Sequence, residues 1–371
     1  MPLNPYDPTE VLAYLPYRFG YAPTQSLVAL AILEPEPGRW ELGLAARLDL
    51  VDLADPELFA LAVAGVASQM DQDPTAFSLT VVYSDAPLQQ TRAGRGLAGT
   101  VLARWLSNFS YADAGATWLV APDHFGALQP CETATADEAT TQYPTAVLDQ
   151  TVIAAHMVLA GQVLAGSREE LACPRDCESL RRRTAARAAA RERRAMAARS
   201  AVQRGRWRSR MMDSYGATLR SVSDDPEFMP EPTVLGRLAA ALDDPELRDA
   251  LAAWTLTGAR LTPGSTAVLD AFEVVITGTG RQPATAHLNA AARVLTEMVR
   301  HCARGRAGYP LALLAWLAWW RGDGARADVL LSQCLREDPG CRLAHLLRDA
   351  LDGGIRPGWA RPAAVVAPVR D

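Results

Sequence analysis

AFSLTVVY (residues 76–83), the run from Leu97 to Phe109, and ATWLVA (residues 116–121) form the stretch on which the fold turns. The first octet is rich in β-branched and aromatic residues and reads as a strand. The middle run repeats its apolar residues at helical spacing, and the third is a second short strand. A strand, a helix and a strand in succession predict an α/β layer arrangement.

Working outward, SLVALAIL (residues 26–33) and the run from Trp40 to Leu48 flank a Pro/Gly turn at Pro35–Gly38 and predict a hairpin. Asp55-Pro56-Glu57 opens an amphipathic helix reaching about Met70, with aspartate as N-cap and proline in the first turn. A shorter helix is expected from Asp7 to Leu15, with Asp7 capping and Pro8 at its first position. Residues from Gln129 to Pro144 are polar and turn-rich, and from Ala146 onward the pattern is helical. The predicted fold is therefore an α/β N-terminal domain (mixed sheet with flanking helices) followed by an all-α C-terminal domain. We place the α/β domain at residues 1–166, an Arg-rich connecting helix at 167–220, a helical domain at 221–354 and a disordered tail at 355–371.

Charge is distributed unevenly. None of the 371 residues is lysine, so all 37 basic residues are arginine against 42 acids. We take this as the mark of a GC-rich genome. Between Arg181 and Arg210 stand twelve arginines and one acid, Glu192, a net +11 that leaves −16 for the remainder. Such a stretch implies an acidic partner or an acidic surface of the same molecule. Alanine and arginine both favour helix, so one helix is expected from about Cys177 to Tyr215, started by Asp176 or by Ser179. Its apolar residues are few and small, which predicts partial burial.

Six cysteines without an even framework of spacings do not make a disulfide scaffold. The N-terminus has neither a basic nor an apolar leader segment, and the longest apolar run, Tyr309 to Trp320, is too short to span a bilayer. A cytoplasmic protein without a membrane segment is expected.

Several segments carry a resemblance. Gly20-Tyr21-Ala22-Pro23-Thr24-Gln25-Ser26-Leu27-Val28 is followed by Ala46-Arg47-Leu48-Asp49-Leu50. Leu247-Arg248-Asp249-Ala250-Leu251 lies in the middle. The stretch Trp319 to Pro339 contains Gly322-Asp323-Gly324-Ala325-Arg326-Ala327, and Leu343-Ala344-His345-Leu346-Leu347 comes after it. In order and spacing these resemble the actinobacterial domain-of-unknown-function family 4192 over nearly the full chain. The resemblance implies a shared fold and no activity. Many members carry a paired-cysteine, proline-rich segment after the strand corresponding to Ala116–Ala121. Here only Cys131 stands there, so no metal or redox role follows from that pair.

The C-terminal segment also looks like one tetratricopeptide unit. Gly322 falls at an inter-helix turn, Ala327 at a small-residue crossing, and Asp338-Pro339 ends the second helix. A single unit cannot bury its own face and must pack on the preceding helices. It reads either as a partner-binding helix hairpin or as a plain structural one.

Candidate chemistry is sparse. Gly94-Arg95-Gly96-Leu97-Ala98-Gly99 matches the dinucleotide fingerprint as a string, but ten residues and Pro87 separate it from the strand ending at Tyr83, which favours a turn. Cys173 and Cys177 are two soft ligands without the companions a zinc site needs, since His124, His156 and His301-Cys302 stand apart in sequence. His287 and His345 sit on helical faces. No nucleophile elbow, zincin motif or Walker loop is present. No cofactor or metal is assigned.

Ser26, Arg47, Asp49 and Asp85 stand at strand ends, where α/β sheets bind ligands, and could equally be turn-capping residues. Trp207 among Arg204, Arg206, Arg208 and Arg210 mixes guanidinium with aromatic, as nucleic-acid contacts do, or docks on an acidic partner or on this protein's own acidic helices. Three functions follow in order. The first is a non-enzymatic module binding another protein. The second is a small-ligand site or enzyme at the strand ends, and the third is a nucleic-acid-associated protein acting through the arginine stretch.

Overall fold

The computed structural model describes residues 8–355 apart from 37–38, 74, 114–115, 129–141, 160 and 278–283, together with residues 357 and 359. Asp7, Cys131 and residues 360–371 lie outside the described residues. The chain divides into two compact units, Met1–Ser167 and Arg168–Asp371.

The first unit runs α1 (Pro8–Phe19), β1 (Ser26–Glu36), β2 (Arg39–Asp49), α2 (Leu50–Ala54), α3 (Pro56–Met70), β3 (Thr75–Tyr83), α4 (Leu88–Arg92) and α5 (Gly96–Asn108). It continues β4 (Thr117–Val120), β5 (His124–Ala127), β6 (Tyr143–Pro144), a 3-10 turn and α6 (Val152–Leu159). The six-stranded sheet has the order β2-β1-β3-β4-β5-β6. Only β3 and β4, the pair separated by α4 and α5, are parallel among the paired strands, so the sheet is mixed.

The hairpin of β1 and β2 forms as the apolar runs predict. The Asp55 carboxylate caps α3 by accepting from the backbone N–H of Glu57 at 2.8 Å and of Leu58 at 3.0 Å. Leu27, Ala29, Ala31 and Leu33 of β1 pack on one face with Val82, Leu119, Phe59, Met70 and Trp105. Val28, Leu30 and Ile32 on the other face are equally buried. Burial on both faces is why residues 26–33 read as one continuous apolar run rather than an alternating one.

The second unit contains α7 (Ser179–Ala197), α8 (Ala201–Asp224), α9 (Pro232–Ala241), α10 (Pro245–Thr257), α11 (Thr266–Thr277), α12 (Thr285–His301), α13 (Gly308–Trp320), α14 (Gly324–Glu337) and α15 (Arg342–Asp352). The single helix expected over 177–215 is corrected here to two. The chain breaks at Ala198–Ser200, where Ser200 caps α8 and the Gln203 side chain accepts from the Ser200 N–H at 2.9 Å. The helix begins at Ser179 with Glu178 in the N-cap position, so neither Asp176 nor Ser179 caps it.

The partial burial of α7 has a specific cause. Ala185, Ala188, Ala189 and Glu192, at helical spacings of three, one and three, form a buried seam, and α7 packs closely on α9. Arg175 and Arg182 donate to the Val299, Cys302 and Arg300 carbonyls, so arginines satisfy the open C-terminal end of α12.

α13 is apolar all round and buried along its length, the pattern of a core helix. Among the described residues no helix is long and apolar enough to cross a membrane. Gly322 adopts φ 82° at the turn between α13 and α14, a left-handed conformation that favours glycine. Asp323 then caps α14 by accepting from Arg326 N–H at 3.0 Å. Trp359, beyond α15, is packed rather than loose: its indole N–H donates to the Trp320 carbonyl at 2.8 Å.

Candidate functional site

At the sheet end, Ser26 opens β1 and lies between its lateral partners Asp49, the last residue of β2, and Tyr83, the last of β3. Arg47 shares a face with Asp49, two residues away. Its guanidinium grips that carboxylate at 2.6 and 3.2 Å, donates to the Thr24 carbonyl at 3.3 Å, and stands 5.8 Å over the Tyr21 ring. Asp85 accepts from the Gln25 side-chain amide at 2.9 Å, and Gln25 itself holds φ 43°. The structure thus gathers Ser26, Arg47 and Asp49 directly and links Asp85 to them through the neighbour of Ser26.

Asp49 therefore faces the Arg47 guanidinium rather than a second carboxylate. Three polar atoms at this edge are buried without a hydrogen-bond partner: Ser26 Oγ, the Tyr83 hydroxyl and Arg47 Nε. Burial pushes the Tyr83 phenol well above its ordinary range, so it remains a donor.

The glycine string does not leave a strand, because α4 intervenes. Gly94 and Gly96 adopt φ 68° and 71°, and a Cβ on Gly99 would sit 2.5 Å from the Gly94 carbonyl carbon. The three glycines shape a tight α4–α5 turn.

In the second unit the arginine group expected to act together is divided. Trp207 is fully buried, and its indole N–H donates to Glu192 Oε1 at 2.8 Å, which removes it as a stacking surface for a base. Arg208 is committed to the Asp244 carboxylate through two contacts of 2.9 Å and to Glu246. Arg204, Arg206 and Arg210 are exposed.

Glu192, the single acid of the basic stretch, is its organising centre: it receives Trp207, Arg199 at 2.9 Å and Arg237 at 3.0 Å. Burial would raise its carboxyl, but hydrogen bonds from Arg199, Trp207 and Arg237 outweigh that and hold it below the usual range. Arg193 likewise pairs with Asp243 at 2.6 Å. Of the twelve arginines, Arg193, Arg199 and Arg208 therefore dock on acids of the same unit.

Cys173 is buried and braced by Gln333, which accepts from its N–H at 2.9 Å and donates to its carbonyl at 2.8 Å. Burial pushes the Cys173 thiol to about 11 and the Cys302 thiol to about 12. Among the described residues no three of His, Cys, Asp and Glu converge as a metal site requires. His287 and His345 each bond a backbone carbonyl, of Trp254 at 3.0 Å and of Pro339 at 2.8 Å; the first is half-buried and the second exposed.

A groove absent from the sequence-level expectations opens on α10, α11, α13 and α15, with a volume of about 420 Å³. Phe272 and Trp316 stack in it with ring centroids 5.1 Å apart, and Arg248 lies 5.0 Å over the Tyr309 ring. Leu346 on the rim is 56% exposed. Arg248 pairs with Asp249 at 2.9 Å, whereas the exposed Arg342, also on the rim, meets no carboxylate among the described residues. The wall residues come from positions 248 to 346, too far apart for any local motif to announce them.

The chain belongs to the family described as a domain of unknown function (DUF4192), whose model matches residues 8–358. No curated protein and no solved structure matches it.

Proposed function

We propose that the helical unit is a non-enzymatic protein-docking module, and that its groove takes an amphipathic segment of another protein bearing apolar anchors and a carboxylate. The groove of Phe272, Tyr309, Trp316 and Leu346 carries this reading. Docking surfaces concentrate aromatic anchors in a desolvated centre with charges at the rim. Arg342, without an acid beside it among the described residues, supplies the charge that selects an acidic partner. The α13–α14 hairpin, which is similar to one tetratricopeptide unit at Gly322 and Ala327, supports the same use. The lysine-free composition supports an actinobacterial source, and the unframed cysteine spacing a cytoplasmic setting. The test is selection from a displayed library of random 16-residue peptides. Enriched sequences should pair apolar residues at helical spacing with acids, and should lose binding to Leu346→Glu. Peptides indifferent to that substitution would refute the groove.

A second reading rests on a different observation, the unpartnered Ser26 hydroxyl, Tyr83 hydroxyl and Arg47 Nε at the sheet end. Buried polar atoms without partners carry a free-energy cost that a small polar ligand would relieve. A rise in melting temperature with one compound of a metabolite panel, absent in Ser26→Ala, would support it; a flat panel would count against it.

A further inference from the structure

The buried alanine seam of α7 leaves the opposite side of that helix in solvent, and the residues there are arginines. Arg183, Arg187, Arg191 and Arg194 follow one another at spacings of four, four and three, and all four are exposed. At 3.6 residues per turn they lie within a narrow stripe directly across the helix from Ala185, Ala188 and Ala189. The stripe covers about 16 Å of helix axis. None of the four meets a carboxylate among the described residues, in contrast to Arg193 on the same helix, Arg199 in the break after it and Arg208 on α8. Close packing of the seam on α9 holds the stripe straight, because a Cβ on Gly236 would already meet the Ala185 carbonyl.

We propose that this stripe is a docking surface for the phosphate backbone of duplex DNA, read without regard to sequence. Four things on this face favour it. The solvent side of α7 carries small alanines between the arginines and no aromatic anchor; Leu180, exposed on the same face, lies at its N-terminal end, so the centre of the stripe is not the apolar centre of a protein interface and matches the polar, positively charged character of a DNA one. Single strands are held by stacking bases on aromatic rings, and Trp207, the aromatic nearest in sequence, is fully buried. Recognition of RNA draws on contacts to the 2′-hydroxyl, while the Thr184 hydroxyl beside the stripe is committed to the Leu180 carbonyl at 2.9 Å. Finally, the negative charge elsewhere on the chain is screened beyond about 8–10 Å at ordinary ionic strength, so it does not cancel a local cationic row.

The test uses the full chain and a fluorescein-labelled 24-base-pair duplex in anisotropy titrations at several salt concentrations. Neutralising four phosphates predicts a slope of log K against log salt of about −3.6, so affinity falls about 150-fold between 50 and 200 mM salt. Replacing Arg183, Arg187, Arg191 and Arg194 together with glutamine preserves helix propensity. With an unchanged melting temperature, it should weaken binding at least tenfold and flatten the slope. Replacing Arg206 and Arg210 on α8 should leave the slope unchanged. Duplex binding that survives the fourfold variant, or is lost with the α8 variant alone, overturns the assignment. So does equal competition by polyglutamate or by single-stranded DNA, which would make the stripe a surface for acidic proteins or for unpaired strands. Should the fourfold variant unfold, the two double variants, Arg183/Arg187 and Arg191/Arg194, must each reduce the slope by about 2, or the proposal fails.

Discussion

Gly236 of α9 sits so close to Ala185 of α7 that a Cβ on it would lie 2.1 Å from the Ala185 carbonyl oxygen. That approach lets a helix with hardly any large apolar residue bury one side, because contact between small residues replaces the side-chain volume it lacks. It also fixes which side of α7 faces solvent.

Gly236→Ala is therefore expected to destabilise the protein by about 1–3 kcal/mol, although alanine in a helix is ordinarily about 1 kcal/mol better than glycine. The neighbour is backbone and cannot move aside. Gly205, on α8, has nothing within 4 Å of a built Cβ. Gly205→Ala should stabilise by about 0.5–1 kcal/mol. Urea unfolding of both variants checks the pair, and equal effects would contradict the packing account.

Glu192 organises Trp207, Arg199 and Arg237. Glu192→Gln, which keeps the shape and removes the charge, should cost about 2 kcal/mol at pH 7. Because the folded carboxyl titrates below its unfolded value, its contribution is present above the ordinary glutamate range and is lost as pH falls through the lower, folded value. The stability gap between wild type and variant should accordingly shrink on acidification, which denaturant titrations at descending pH will show.

His301 is buried, with its Nδ1 bonded to the Glu297 carbonyl at 2.8 Å and its Nε2 accepting from Arg181 at 3.3 Å. Burial lowers its affinity for a proton, and the backbone bond to Glu297 only partly offsets that. The unfolded state then binds more protons than the folded one below about pH 6.5, so stability is lost as pH falls from that value. Wild type should lose more stability between pH 7.5 and 5.5 than His301→Gln, as measured by urea midpoints.

Leu346 is exposed on α15, so Leu346→Glu should change the melting temperature by less than about 2 °C while abolishing docking of an acidic segment. Arg342→Gln should weaken docking less and reduce its dependence on salt.

The strands and helices of the first unit were legible because their signals are local: β-branched content at residues 76–83, and the Asp55-Pro56 start of α3. The break between α7 and α8 was missed because alanine and arginine favour helix uniformly on both sides, yet the Ser200-x-x-Gln203 capping box that makes it was present to be read. Trp207 was misplaced on the surface because its partner, Glu192, lies fifteen residues earlier on a different helix. Ser26, Arg47 and Asp49 come together because antiparallel pairing of β1 with β2 sets Asp49 opposite Ser26 and Arg47 opposite Val28. The groove was invisible because Arg248, Phe272, Trp316 and Leu346 come from four helices and meet only through tertiary packing.

The most direct measurement of the docking role is photocrosslinking in cells, with a benzophenone amino acid placed at Leu346 and, as a control, at the exposed Val51 of the first unit. Docking predicts one discrete crosslinked species from position 346, resistant to nuclease, absent at position 51, and reduced when Arg342→Gln is added. No crosslink from position 346, or the same products from both positions, would contradict it.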